Sequence, residues 1–278
     1  MRALLPLFVG LVAFVFAGCG DRQIGGDAAK RAGAVPADTT AADSAPADPD
    51  AADAVELVIL VGNSFIPPTE QLIAEFTEKT GVSATYTTGG SEDLLPHVKA
   101  QQRGDIFITH DPYLDYTKEA KSYSDHVQVG FVAPVLAVQK GNPKNLSSID
   151  DLTKDGLEVA LSDPQYSTCG EMVRDLLKEK GIYDAVMENV GNRLTKGHSN
   201  LGNLLKTQTV DAVLMWNGVA NTFTEHLDIV KTPYEYDNEI KVHVMGLSYS
   251  MQPEAVRRFL EFVRERGETV FSEHGYVK

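Results

Sequence analysis

Cationic side chains are in short supply. Twenty-five lysines and arginines, 25 against 39 aspartates and glutamates, leave a formal net charge of −14. A nucleic-acid binder needs a basic face, so that class of partner is excluded. An anionic small ligand is not, because backbone N–H groups and hydroxyls bind anions without a cationic side chain. The long-range field would oppose its approach, and salt would screen that field. Cysteine is almost missing, with Cys19 and Cys169 alone. The seven histidines are scattered, and no His-x-x-x-His, Cys-x-x-Cys, Gly-x-Ser-x-Gly or phosphate-loop pattern occurs. Gly89-Gly90-Ser91 is no nucleophile elbow, since the second glycine of that pattern is missing after Ser91. These absences argue against an enzyme and require neither a cofactor nor a resident metal.

Long apolar runs are also lacking, with one exception at the start. Ala3 to Ala17 is apolar apart from Pro6 and Gly10, and Arg2 precedes it. At about 15 residues the run is short for a membrane span and suits a signal peptide. Phe16-Ala17-Gly18-Cys19 resembles the lipobox of bacterial lipoproteins. The resemblance implies a signal peptide over residues 1–18, lipidation of Cys19 and anchoring to a membrane of the cell envelope, facing the periplasm or the exterior. Ordinary secretory cleavage beside an incidental cysteine is the alternative. With Cys19 lipidated, Cys169 has no partner for an intrachain disulfide. The following stretch to residue 54 is rich in Ala, Asp, Gly, Pro and Thr and has no aromatic residue. It cannot bury enough surface to offset its ordering entropy, which makes residues 19–54 a flexible tether.

From Val55 onward the pattern alternates. Glu56–Val61 reads as a buried strand, 67–79 as a helix with Gly81 beyond its end, 82–87 as a strand, and 92–102 as a helix. Asp105–Thr109 follows as a strand, and Asp111-Pro112 opens a third helix. A second unit of the same kind begins at Pro134. It has strands at 134–139, 159–161 and 212–216, and helices at 170–180 and 201–206. A short helix at 148–152 places Asp151 at a capping-box position. After Pro233 come a strand over 241–249, a helix from Pro253 to about Arg266, and one more short helix over 269–274. The alternation indicates an α/β fold with mostly parallel sheets, and no internal repeat is visible in the sequence.

Several phrases in this order are similar to those of the periplasmic molybdate- and tungstate-binding proteins, type II solute-binding proteins of ABC transporters. They are Val61-Gly62-Asn63-Ser64, Thr88-Gly89-Gly90-Ser91, the strand phrase Gly104-Asp105-Ile106-Phe107-Ile108-Thr109-His110-Asp111, Leu136 to Pro143 with Ile149-Asp150-Asp151-Leu152, and Phe259 to Val263 with Phe271 to Tyr276. The resemblance covers Val55 to Val277. It implies two α/β lobes joined by two crossovers, near 129–134 and 230–233. Lobe I takes residues 55–132 and 233–278, and lobe II takes 133–232. It further implies a monomer that captures an oxyanion in the cleft and delivers it to a permease and ATPase complex.

A tetrahedral dianion needs many donors, and helix N-termini provide them through unpaired N–H groups and the helix dipole. Four loops stand before helices: Asn63 and Ser64, Gly90 and Ser91, Thr168 and Cys169 with Gly170, and Ser199 with Asn200. By loop position the resemblance assigns Ser64 and Ser91 as hydroxyl donors, with Cys169 and Ser199 in the later loops. Each has a plainer role open to it as a helix N-cap or turn residue. Trp216 stands where many relatives carry a tyrosine, so it donates an indole N–H or walls the cleft. Asp163 and Tyr166 occupy a loop that is Ala-rich in relatives. Cys169 is either a thiol activated by a helix N-terminus or inert packing. Sulfate, phosphate, phosphonate and ferric iron remain alternatives in the same fold, with Tyr234 and Tyr236 a candidate iron pair. A sensor that presents its ligand to a membrane receptor is a further alternative.

Overall fold

A computed structural model describes residues 56–277. The signal peptide expected at 1–18, the tether expected at 19–54 and the expected lipidation site Cys19 lie outside the described residues.

The first half of the chain alternates strand and helix: β1 (Glu56–Gly62), α1 (Ile66–Thr80), β2 (Ser83–Gly89), α2 (Ser91–Lys99), β3 (Ile106–His110), α3 (Tyr113–Glu119) and β4 (Tyr123–Val132). The second half begins with β5 (Pro134–Gln139). It continues through β6 (Val159–Ser162), α4 (Thr168–Glu179), α5 (Tyr183–Val190), β7 (Leu194–Thr195), α6 (His198–Lys206), β8 (Ala212–Trp216), α7 (Asn217–Asn221) and β9 (Leu227–Val230). The chain then returns with β10 (Ile240–Leu247) and ends in α8 (Pro253–Glu273).

Two five-stranded sheets result. The first has the order β2-β1-β3-β10-β4, the second β7-β6-β8-β5-β9. In the first, β2, β1 and β3 run parallel, and β10 is antiparallel to both of its neighbours. In the second, β7, β6 and β8 run parallel, and β5 is antiparallel to both of its neighbours. The sheets therefore share one topology: three parallel strands, an antiparallel fourth, and an edge strand. The antiparallel member is in each case a strand that adjoins a crossing between the sheets. The sheets are mixed, and the repeat that the sequence hid is one of topology alone.

Local chemistry explains the element ends. Burial of Leu57, Ile59, Leu60 and Val61 on β1 reflects helices on both faces. Helix α1 stops at Gly81, which adopts φ 72° and donates its N–H to the Thr77 carbonyl. The capping box at Ser148 is formed, with the Asp151 carboxylate accepting the Ser148 N–H at 3.1 Å. Helix α8 runs unbroken through Gly267, so the separate helix expected over 269–274 is its last turns. Gly267 is tolerated there because a Cβ would come within 2.7 Å of Val129 on β4; the helix needs the missing side chain to sit this close. Strand β4 escaped the sequence reading because its first half, Tyr123-Ser124-Asp125-His126, is polar. It is the edge strand, paired with β10 only.

One buried side chain ties the crossing together. The Asn217 amide donates to the carbonyls of Phe131 (3.2 Å) and Val277 (2.8 Å), and its oxygen accepts the Ala133 N–H (3.3 Å). Next to it, Gly218 lies under the Tyr276 ring, and a Cβ would fall 2.2 Å from the ring carbon Cζ. The Tyr276 hydroxyl in turn donates to the carbonyl of Ser64. Gly218→Ala should therefore lower folding stability by about 2 kcal/mol, the scale of core overpacking. Urea denaturation of the variant against the parent measures this.

Candidate functional site

The parallel strands of both sheets aim their carboxyl ends at one cleft. Open α/β sheets place ligands there, because the following helices present N-termini to the same space. The 3-10 turn Asn63–Phe65 after β1, the Gly90-Ser91 step after β2 and His110 at the end of β3 form one wall. Tyr166, Ser167 and Thr168 before α4, Lys196 to His198 after β7, and Trp216 at the end of β8 form the other. The cavity between the walls is about 90 Å³. Pockets for drug-sized ligands run to about 300–1,000 Å³, so this one suits a ligand of few atoms.

Ser91 is the first residue of α2 and is buried. Its hydroxyl does not cap the helix, for Gly90 is the N-cap. Instead Ser91 Oγ accepts a 2.6 Å hydrogen bond from the buried Thr109 hydroxyl. The Ser91 proton is then left to donate into the cleft. Gly62 makes room, since a Cβ there would touch Ser91 Oγ at 3.0 Å. Ser64 is half-buried in the 3-10 turn, which carries no side-chain cap; its carbonyl is held by Tyr276. Asn63 is exposed at the mouth. On the facing wall Ser167 is the N-cap of α4, accepting the Gly170 N–H at 3.3 Å, and Thr168 is the first helical residue. The sequence reading passed over Ser167 for its neighbours; it is the residue that caps.

Six of the eight expected ligand residues thus share the cleft: Asn63, Ser64, Gly90, Ser91, Thr168 and Trp216. Cys169 and Ser199 do not line it. The Cys169 side chain turns into the core of the second sheet and is fully buried, and burial pushes its thiol well above the ordinary range. Burial disfavours the thiolate, which works against the activation that a helix N-terminus would favour. Ser199 faces solvent one residue into α6, and His198 occupies the cleft in its stead. Asp163 is also outside, its carboxylate accepting the Gln165 N–H at 2.9 Å in a turn. Tyr234 and Tyr236 stack edge to face at 5.5 Å away from the cleft.

Four charged or aromatic features were not anticipated. Glu92 and Asp93 of the first turn of α2 reach the cleft. The Lys196 ammonium answers them, 3.5 Å from the Asp93 carboxylate and 5.1 Å above the Tyr166 ring. This pair joins the two walls, although both partners are more than half exposed, so it is a weak clasp. The third feature is His110, whose ring meets Phe65, Tyr113 and Trp216 edge-on. The fourth is His198, on the wall facing His110 and stacked on Trp216 with ring centroids 5.5 Å apart. Burial lowers the His110 pKa to about 4, and burial with the nearby His110 lowers that of His198 to about 3. The signal for both was position, His110 closing β3 and His198 opening α6.

The sequence signature described as bacterial extracellular solute-binding protein matches residues 57–277. The molybdate-binding protein ModA of Mycobacterium tuberculosis is 25% identical over 252 residues, covering 89% of this chain and 94% of the relative. Among solved structures, the sulfate-binding protein SubI of Mycobacterium tuberculosis matches with TM-score 0.66 at 16% identity, covering 80% of this chain and 86% of that one. The periplasmic molybdate-binding protein of Azotobacter vinelandii matches with TM-score 0.63 at 15% identity, covering 80% and 99%. The structural likenesses establish the fold.

Two outcomes are expected of the ligand-free protein. Cys169 should resist a thiol reagent in the native state and react fully in denaturant; fast native labelling would contradict its burial. Stability should also fall as the pH drops from about 6.5 toward 4. Over that window the unfolded chain binds protons that the folded His110 and His198 refuse. Urea midpoints across the range should show the fall, and a His110→Gln, His198→Gln double variant should flatten it.

Proposed function

Because the chain belongs to the bacterial extracellular solute-binding proteins, we propose that its cleft captures a small tetrahedral oxyanion, molybdate or tungstate foremost, for delivery to an ABC permease and ATPase. The observation that carries this reading is the Ser91 hydroxyl. It sits at a helix N-terminus at the end of β2, held by Thr109 with its proton free for an acceptor. Ser64 offers a second hydroxyl from the first loop, and Thr168 a third from the opposite wall. Unpaired N–H groups at the starts of α2 and α4 add donors without adding charge. The small cavity favours a ligand of few atoms over a sugar or peptide.

In this reading residues 55–132 with 233–278 form lobe I and 133–232 form lobe II. The anion docks on one lobe and the other closes by bending at the crossovers. Lys196 and Asp93 meet when the cleft is shut. Residues 1–18 serve as a signal peptide, and a lipid on Cys19 holds the monomer to the membrane, with 19–54 as its tether. Desolvating a dianion is costly, and charge-assisted hydrogen bonds from both lobes offset that cost. Cavity size then separates molybdate and tungstate from the smaller sulfate.

Calorimetric titration with molybdate, tungstate, sulfate and phosphate tests the reading. One-to-one binding of molybdate or tungstate, with sulfate far weaker, is the expected result. A Ser64→Ala, Ser91→Ala double variant should weaken binding by about 3 kcal/mol, since each hydrogen bond to a charged group contributes about 1.5–3 kcal/mol. Unchanged affinity in that variant would remove the two serines from the site.

A further inference from the structure

The two cleft histidines differ in the nitrogen they hold back. His110 Nδ1 lies 2.6 Å from the carbonyl oxygen of Asp111. A carbonyl only accepts, so Nδ1 carries the proton, and the neutral ring presents Nε2 as a bare lone pair. That Nε2 has no protein partner among the described residues, although His110 is only 7% exposed and lines the cleft. His198 is set the opposite way. Its Nδ1 accepts the backbone N–H of Trp216 at 3.4 Å, with the Ser162 hydroxyl at 3.5 Å. The His198 proton is therefore on Nε2, a ready donor.

An oxyanion entering this cleft meets donors from Ser64, Ser91, Thr168 and His198, and, besides the Glu92 and Asp93 carboxylates of α2, the lone pair of His110. A lone pair facing an anionic oxygen is repulsive unless a proton lies between them. We propose that His110 takes up one proton from solvent as the oxyanion binds, so that a buried imidazolium pairs with the dianion and binding is proton-coupled. This rests on the oxyanion reading above and adds to it a specificity residue. The balance is simple: one dianion and one proton enter, Nε2 gains an N–H bond, and no other bond changes. The site as a whole then takes on one negative charge instead of two.

The surroundings of His110 permit this. On its own strand end, the Asp111 carboxylate is occupied by His243 Nε2 (2.9 Å) and the Lys241 N–H (3.1 Å), so it does not neutralise the ring in advance. From β10, His243 faces it; from the turn after β1, Phe65; from α3, Tyr113, whose hydroxyl burial keeps protonated. From the other wall come Trp216 and His198. Glu92 and Asp93 of α2 are the nearby cleft carboxylates, and Asp93 is engaged by Lys196. Without ligand, burial keeps both imidazoles neutral. An anion supplies the missing countercharge, and the desolvation that opposes the proton is offset by the pairing.

The test is calorimetric titration of the full chain with molybdate and with sulfate, both dianions without protons at neutral pH, in buffers of different ionisation enthalpy. At pH 7.5 the dependence of the observed heat on the buffer should give one proton taken up per anion bound. Affinity should rise about tenfold for each unit the pH falls between 8 and 6.5. In His110→Gln the uptake should vanish and the pH slope flatten. In His198→Gln binding should weaken while the uptake persists. Binding by the parent protein without proton uptake, or equal uptake in His110→Gln, would overturn the proposal and leave the oxyanion reading intact. Absence of binding by molybdate, tungstate, sulfate and phosphate alike would overturn both.

Discussion

Three backbone groups from two separate chain passages converge on one side-chain amide, that of Asn217. Two of them, the Phe131 carbonyl and the Ala133 N–H, belong to the crossing from the first sheet to the second. The third, the Val277 carbonyl, belongs to the end of the chain. A buried amide without partners would cost more than it gives, so it fixes the crossing only because all its partners are present. Tyr276 extends the same constraint. Its backbone carbonyl accepts the Phe131 N–H, its ring occupies the space over Gly218, and its hydroxyl holds the Ser64 carbonyl. The candidate binding loop therefore hangs from the last residues of the chain, and the geometry of the cleft follows from the packing of the crossing.

Electrostatically the cleft departs from its molecule. The chain carries a net charge of −14, and two carboxylates stand at the cleft. Lys196 is the one cationic side chain among the residues that line the cavity, and it is spent on Asp93 and Tyr166. Whatever favours an anion inside must come from dipoles, hydroxyls and histidines, fixed in place by Thr109 behind Ser91 and by Trp216 behind His198. Such groups lose little by reorganising, and the low dielectric of the cleft strengthens each of them.

Much of this was legible in the sequence, and the failures have physical reasons. Alternating apolar runs located β1, β3, β5, β6 and β8, because strands covered by helices on both faces must be apolar throughout. Gly81 and Gly181 marked helix ends, both at positive φ. Strand β4 was illegible because an edge strand bears polar side chains without penalty, and Gly267 suggested a break that close packing against Val129 removed. At the cleft, Ser64, Ser91 and Thr168 were found through their places before helices. Cys169 and Ser199 were one residue off, since on a helix a step of one turns a side chain by about 100° and exchanges cleft for core or solvent. Thr109, His110 and His198 escaped because their contribution is set by partners distant in sequence, which no local pattern encodes.

The shared topology of the two sheets has a consequence for the order in which the molecule assembles. The second sheet is closed within a continuous stretch, from Pro134 to Val230. The first is not: β10 lies between β3 and β4, joining His110 to Val242 across more than 100 residues of sequence. Until the last 40 or so residues are available, β3 and β4 have no common neighbour, and long loops must close before that contact is gained. The sheet whose strands come first in the chain is thus the later to have all of them available. A nascent chain thus holds every strand of the second sheet before β10, the shared neighbour of β3 and β4, has been made.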